Sequence, residues 1–203
     1  MGQNSDTGRP GFTGCMILSN GDILSAIDAG RISIEPLEGR DVSRPPFNTS
    51  SIDLRLAPTV TVPRNTPMSH RLDRSYDRIY YAQNSDKYEI SNERPYVLKP
   101  NCFVLAQTLE RVSFTTAGDG PFYAARIEGR SSLARYGMLV HFTAPTIHGG
   151  FGPAPITLEI INLGHNDILL TPNVYVCQLI IEAVSNRPND APNQFRTQTT
   201  ATG

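Results

Sequence analysis

Cysteine, net charge and long apolar runs are all scarce in this chain, and each scarcity removes a class of protein. Its three cysteines, Cys15, Cys102 and Cys177, stand far apart, in odd number and without a C-x-x-C pair. Neither a disulfide framework nor a thiolate metal site follows from such spacing, and a reducing compartment is the expectation. No apolar stretch approaches the ~20 residues of a membrane span, and the polar first fifteen residues lack the hydrophobic centre of a secretory signal. We therefore expect a soluble cytoplasmic protein without a membrane partner. A formal net charge of -1 over 203 residues gives no broad positive field, which argues against a nucleic acid partner. Where arginines do cluster, a small anionic ligand is the better fit.

A hydrophobic fraction of 39% is enough for a proper core, and one domain is the simplest organisation. Residues 1 to 15 read as a flexible leader rich in Gly, Ser, Asn, Asp and Thr. Residues 16 to 184 carry the patterned body, and 185 to 203 form a polar tail or a lid that orders over a ligand. Ser19-Asn20-Gly21-Asp22 has the spacing of a capping box, Ile23, Leu24 and Ile27 share one helical face, and Gly30 supplies a left-handed stop, which together predict a short helix. Ile32 and Ile34 alternate as a brief strand. Ser51 to Leu56 alternates as a half-buried strand with Asp53 and Arg55 on its solvent face. Val60 and Val62 continue that alternation, and residues 64 to 94 read as a long insertion with a hairpin around Ile79 to Tyr81. Beyond Tyr96 come short apolar runs at Tyr96 to Leu98, Cys102 to Thr108, Val112 to Phe114, Tyr123 to Ile127, Leu139 to Thr143, Ile156 to Asn162, Ile168 to Leu170 and Val174 to Val184. Punctuated by Pro, Gly and Asn, they predict a mainly β fold, a distorted jelly roll or barrel.

Three stretches carry chemistry. In Glu128 to Gly137, a strand ending at Ile127 runs into Arg130, Ser131, Ser132, Leu133, Ala134 and Arg135, a short helical turn stopped by Gly137. Free N–H groups, two arginines and two hydroxyls would make a phosphate cradle; a capped surface helix with solvated arginines is the other reading. In Ile156 to Asn162, alternation leaves Glu159 between Thr157 and Ile161 on the face opposite Ile156, Leu158 and Ile160. If that face is buried, desolvation raises the carboxylate pKa and suits it to moving protons; otherwise Glu159 is a solvated surface residue. The Gly- and Pro-rich loop Thr143 to Pro155 holds His148 as a pocket wall or a simple connection would. No second ligand stands at helical or hairpin spacing from His148, so a metal site is not expected there, and His70, His141 and His165 are as isolated in the sequence.

The order Arg130-Ser131-Ser132-Leu133-Ala134-Arg135, Val140-His141-Phe142-Thr143-Ala144, Ile156-Thr157-Leu158-Glu159 resembles the dCTP deaminases of the dUTPase-like superfamily. Met16 to Ser19, Ser51 to Arg55 and Thr108-Leu109-Glu110 extend the resemblance over most of Met16 to Val184. It implies a homotrimer with active sites between subunits and hydrolytic deamination of dCTP to dUTP and ammonia. Arg130, Ser131, Ser132 and Arg135 would bind the nucleotide, with Leu133 and Ala134 shaping the same segment. Glu159 would shuttle protons while Ser131 and Arg135 hold the water and polarise the base. Thr157 and Leu158 would meet the base through backbone groups. His148 stands where the family has an aspartate at the deoxyribose, and Gln198 is the glutamine retained from the family's C-terminal lid. No protein-bound cofactor is implied, and Mg2+ would arrive with the triphosphate. Zinc deaminases use an H-x-E and P-C-x-x-C set that is missing from this sequence, so Glu159 is expected to activate water without a metal. A dUTP pyrophosphatase, a bifunctional enzyme and a non-catalytic nucleotide-binding paralogue are the alternatives.

Overall fold

The computed structural model describes residues 16–67, 69–71, 73, 78–189 and 200–202. The expected leader, and Gln198 in the tail, lie outside the described residues. Helix α1 (Asn20–Asp28) starts where the sequence places it: Ser19 caps it by accepting from the Asp22 backbone N–H, and Gly30 follows at φ 66°. The strands are β1 (Ile32–Glu35), β2 (Phe47–Asn48), β3 (Ser51–Arg55) and β4 (Thr59–Pro63). After helix α2 (Arg78–Gln83) come β5 (Ser85–Glu89), β6 (Tyr96–Leu98), β7 (Phe103–Phe114) and β8 (Phe122–Gly129). The one-turn helix α3 (Ser131–Ala134) precedes β9 (Met138–Leu139), β10 (Thr146–Ile147), β11 (Ala154–Asn162), β12 (Ile168–Leu170) and β13 (Tyr175–Val184).

These strands make a mainly β fold with two principal antiparallel sheets. One runs β5-β4-β7-β11-β9 with β1 added on β7, the other β10-β8-β13-β3-β2, and β6 and β12 form a small ribbon. The inner faces share one core. Ile52 and Leu54 of β3, Val104 and Ala106 of β7, Ile127 of β8, Leu158 and Ile160 of β11, and Leu179 and Ile181 of β13 are all buried in it. Each fully buried aliphatic side chain contributes about 1.5–3 kcal/mol through removal from water, and period-2 alternation delivers them to one face.

Four expectations about elements are corrected. Residues 79 to 81 are in α2, not a hairpin; one helical turn here presents Tyr80 and Tyr81 to each other and to His70 as a ring cluster. The runs 102–108 and 112–114 are one strand, because the Glu110 charge that interrupts the apolar pattern is buried against Arg55, whose backbone N–H and Nε donate to its two oxygens. Of the run 139–143 only Leu139 is in a strand. Strand β3 is buried on both faces: Asp53 and Arg55, assigned to solvent, are 5% and 8% exposed. Ion pairs make that burial tolerable, Arg55 with Glu110 and Glu38, and Asp53 with Arg130.

Two close backbone approaches set the loops around the future site. Gly137, at φ 87°, lies so near Gly164 that a Cβ on it would overlap the Gly164 nitrogen, while Leu163 N–H donates to Gly137 O at 2.8 Å. Gly152, at φ 83°, is pressed on the end of β7, and a Cβ there would overlap the Val112 carbonyl oxygen. Only glycine satisfies both the left-handed φ and the contact.

Candidate active site

Strand β11 holds Glu159 opposite Leu105 of β7, Thr157 opposite Gln107, and Ile161 opposite Phe103. Burial alternates strictly along it: Ile156, Leu158 and Ile160 are in the core, whereas Thr157, Glu159 and Ile161 are half-buried. The intermediate state of that second face has a definite cause. It forms the floor of a cavity of about 500 Å³ lined by Glu159 and Thr157, by Phe103 and Leu105, by Ala144, Thr146, Ile147, His148 and Phe151 of the loop, and by Tyr81 and Ala201.

Each wall is held by bonds the local sequence dictates. Strand β10 pairs with β8, Thr146 against Arg126 and Ile147 against Ala125, and Pro145 O accepts from Ile127 N–H at 2.9 Å. The loop then folds back, Gly150 N–H donating to Phe114 O at 2.9 Å and Phe114 N–H to Phe151 O at 3.0 Å. His148 is thereby set at the cavity between two strand ends, a pocket wall and not a plain connection.

Electrostatics single out Glu159. Burial raises its pKa above the ordinary glutamate value, opposed by the hydrogen bond from its own backbone N–H and by the charge of His141. A carboxylate so placed holds its proton to a higher pH than an ordinary glutamate does, which suits it to accepting and returning protons. His141 is not isolated in space: its Nε2 lies 3.8 Å from Glu128 Oε2, and its Nδ1 is buried without a hydrogen-bond partner among the described residues. The His141 imidazole thus bears on Glu128 by proximity and on Glu159 through its charge.

The arginine and serine segment occupies a different face. Arg130 begins α3, its carbonyl accepting from Leu133 and Ala134 N–H, and Arg135 Nη1 donates to Ser131 O at 3.1 Å. Ser131, Ser132, Ala134 and Arg135 are exposed, and Leu133 is half-buried. Arg130 is not the solvated arginine of a capped surface helix, since its Nη2 lies 3.3 Å from buried Asp53. Within one chain the structure brings together Glu159, Thr157 and His148 at the cavity. It does not bring Arg130, Ser131, Ser132 or Arg135 there. Leu158 points its side chain into the core at 0% exposure, which leaves only its backbone for a ligand.

A family model described as dCTP deaminase-like matches residues 17–184. The chain belongs to the dCTP deaminase-like family. A Methanosphaera stadtmanae relative named dCTP deaminase, dUMP-forming, is 34% identical over 182 residues, covering 87% of this chain and 83% of that protein. A Corynebacterium diphtheriae relative of the same name is 36% identical over 181 residues, covering 87% and 86%. The crystal structure of 2'-deoxycytidine 5'-triphosphate deaminase from Agrobacterium tumefaciens shares the fold at a TM-score of 0.61 and 19% identity over 84% of this chain; this chain spans about half, 49%, of that one.

Several cavity residues of this deaminase-like chain escaped the sequence reading. Phe103 and Leu105 look like ordinary core positions in the sequence, and Tyr81 sits in the unpatterned segment 64–94. The one available signal lay in β7: as the alternating partner of β11, it must put its odd-numbered residues on the Glu159 face. Ala201 lines the cavity from the tail, and Thr202 beside it is 2% exposed. This return of the terminal residues had no counterpart in local pattern.

Proposed function

We propose that the protein catalyses hydrolytic deamination of the cytosine base of dCTP, with Glu159 as the proton shuttle. The observation that carries this reading is the half-buried Glu159, its pKa raised, on the floor of a cavity large enough for a pyrimidine nucleoside. Water adds to C4 of the base as Glu159 takes its proton; the same carboxyl group then delivers that proton to the leaving amine, giving uracil and ammonia. One group with a pKa moved toward neutrality serves both transfers. Backbone groups of Thr157 and Leu158 edge the base, and His148 meets the sugar side.

The separation of α3 from the cavity supports an assembly in which copies complete each other's sites. We assign Ser131 and Arg135 of a neighbouring copy to the water and the base, Arg130 and Ser132 to the triphosphate, and Leu133 and Ala134 to the shape of that turn, in a homotrimer. Gln198 belongs to a lid over the nucleotide. Mg2+ enters as part of the substrate, bound to the triphosphate oxygens. Arginine forks and serine hydroxyls suit those oxygens because both donate to them directly.

A second reading concerns the product. Both relatives described above are named dUMP-forming, which favours release of dUMP and diphosphate over dUTP. Incubation of the purified protein with dCTP and with dUTP, with ammonia, dUTP, dUMP and diphosphate all quantified, tests both readings. Ammonia with dUTP supports simple deamination; ammonia with dUMP and diphosphate supports the bifunctional course; nucleotide binding with no product supports the non-catalytic paralogue and overturns the proposal.

A further inference from the structure

Arg130 is held by residues that the reaction itself does not use. Its Nη2 lies 3.3 Å from Asp53 Oδ2, its Nη1 donates to the Tyr175 carbonyl at 3.2 Å, and its Cζ lies 5.6 Å from the centroid of the Tyr175 ring. Asp53 is fixed in turn, its Oδ1 accepting from Asn48 Nδ2 at 2.9 Å. The Tyr175 hydroxyl donates to Glu38 Oε2 at 2.6 Å, and the other oxygen of Glu38 pairs with Arg55. Arg55 is locked on Glu110 in the core. A continuous set of contacts therefore runs from buried Glu110 through Arg55, Glu38 and Tyr175 to Arg130, whose side chain stays 31% exposed.

The parts do different work. Asp53 alone would fix only a point of the guanidinium; the ring beneath it fixes the plane. Plane and point together leave the flexible arginine stem little freedom to lose when an anion arrives, so more of each hydrogen bond appears as affinity. Glu38 keeps the ring from turning away. Burial and Glu38 push the Tyr175 phenol up to about 12, so the hydroxyl remains a donor through the neutral range.

We propose that Tyr175, anchored by Glu38, is a positioning residue that sets the Arg130 guanidinium for the triphosphate. The inference rests on the assignment of Arg130 as a triphosphate ligand. Kinetics with dCTP, and inhibition of that reaction by inorganic tripolyphosphate, test it in Tyr175→Phe, Tyr175→Leu, Arg130→Ala and the double variant Arg130→Ala/Tyr175→Leu. Tyr175→Leu is expected to raise the KM for dCTP and the Ki for tripolyphosphate together by about tenfold, with a smaller fall in kcat. Tyr175→Phe, which keeps the ring and loses the anchor, falls between it and the unaltered protein. In the Arg130→Ala background Tyr175→Leu adds less than about twofold, since the two residues act as a unit. Independent, multiplying effects overturn the proposal, as does a Tyr175→Leu protein whose melting temperature drops while both constants stay put. If Arg130→Ala itself leaves KM and Ki unchanged, the assignment of Arg130 fails and the positioning role with it. Should Tyr175→Leu not fold, Tyr175→Phe supports the same cycle.

Discussion

Arg55 grips both carboxylate oxygens of Glu110, its backbone N–H at 2.8 Å from one and its Nε at 2.6 Å from the other, with the Arg55 side chain 10% and that of Glu110 5% exposed. Removing the Glu110 charge leaves the buried Arg55 guanidinium only its pair with Glu38, whose side chain is half exposed. Glu110→Gln is expected to destabilise the fold by about 3–5 kcal/mol, the usual cost of breaking a buried pair. Urea unfolding followed by circular dichroism measures it, and a loss below about 1 kcal/mol would mean that water reaches the pair.

Glu159→Gln should uncouple activity from stability. Turnover of dCTP is expected to fall by at least about 10²-fold, the ordinary share of general acid and base catalysis, while nucleotide still binds. Stability moves the other way. Because burial raises the folded pKa of Glu159 above its unfolded value, the native state favours the protonated form. The charged form costs stability progressively as pH rises from the unfolded toward the folded pKa, and fully above it. The variant is therefore expected to melt higher than the unaltered protein at neutral pH, and the gap should close below the ordinary glutamate pKa. A gap that is constant with pH would show that the carboxylate is not desolvated.

His141 bears on the same proton. Its charge opposes the upward shift of Glu159, so His141→Gln is expected to move the acidic limb of the kcat profile to higher pH. The sign follows directly: with the cation gone, Glu159 holds its proton to a higher pH, and the base form needed to activate water appears later. A limb that stays in place would remove His141 from the electrostatics of the site.

Gly152→Ala tests the wall of the cavity. The added methyl would overlap the Val112 carbonyl and demand an unfavourable φ of 83°, so the loop carrying His148 and Phe151 must shift. A destabilisation of about 1–3 kcal/mol is expected, with a raised KM for dCTP. Thermal unfolding together with steady-state kinetics checks both, and an unchanged KM would place the loop outside nucleotide binding.

Much of this fold was readable in advance, and what was not had physical causes. The capping box of α1 and the alternation in β11 are local, and the structure follows them. The full burial of Asp53 and Arg55 was invisible because it depends on Arg130 and Glu110, which pairing alone brings near. Glu159 could be picked out as a carboxylate in an apolar strand, but whether its face was wet or walled turned on Tyr81, Phe103 and the loop around His148. No local period encodes such a meeting of distant elements. The helix at residues 78–83 lacks an apolar stripe and buries none of its residues, so the signal by which helices are usually found was missing.

The contact of Gly137 with Gly164 restricts how this protein can change over generations. A side chain on Gly137 would meet the Gly164 backbone, and one on Gly164 would meet the Tyr136 carbonyl oxygen, so trimming a neighbouring side chain relieves neither substitution. Residues lining the cavity can vary and retune what is bound, whereas these two glycines stay frozen together. Diversification of the site is thereby channelled toward the wall built by His148 and Tyr81, while the turn that carries Arg135 keeps its shape.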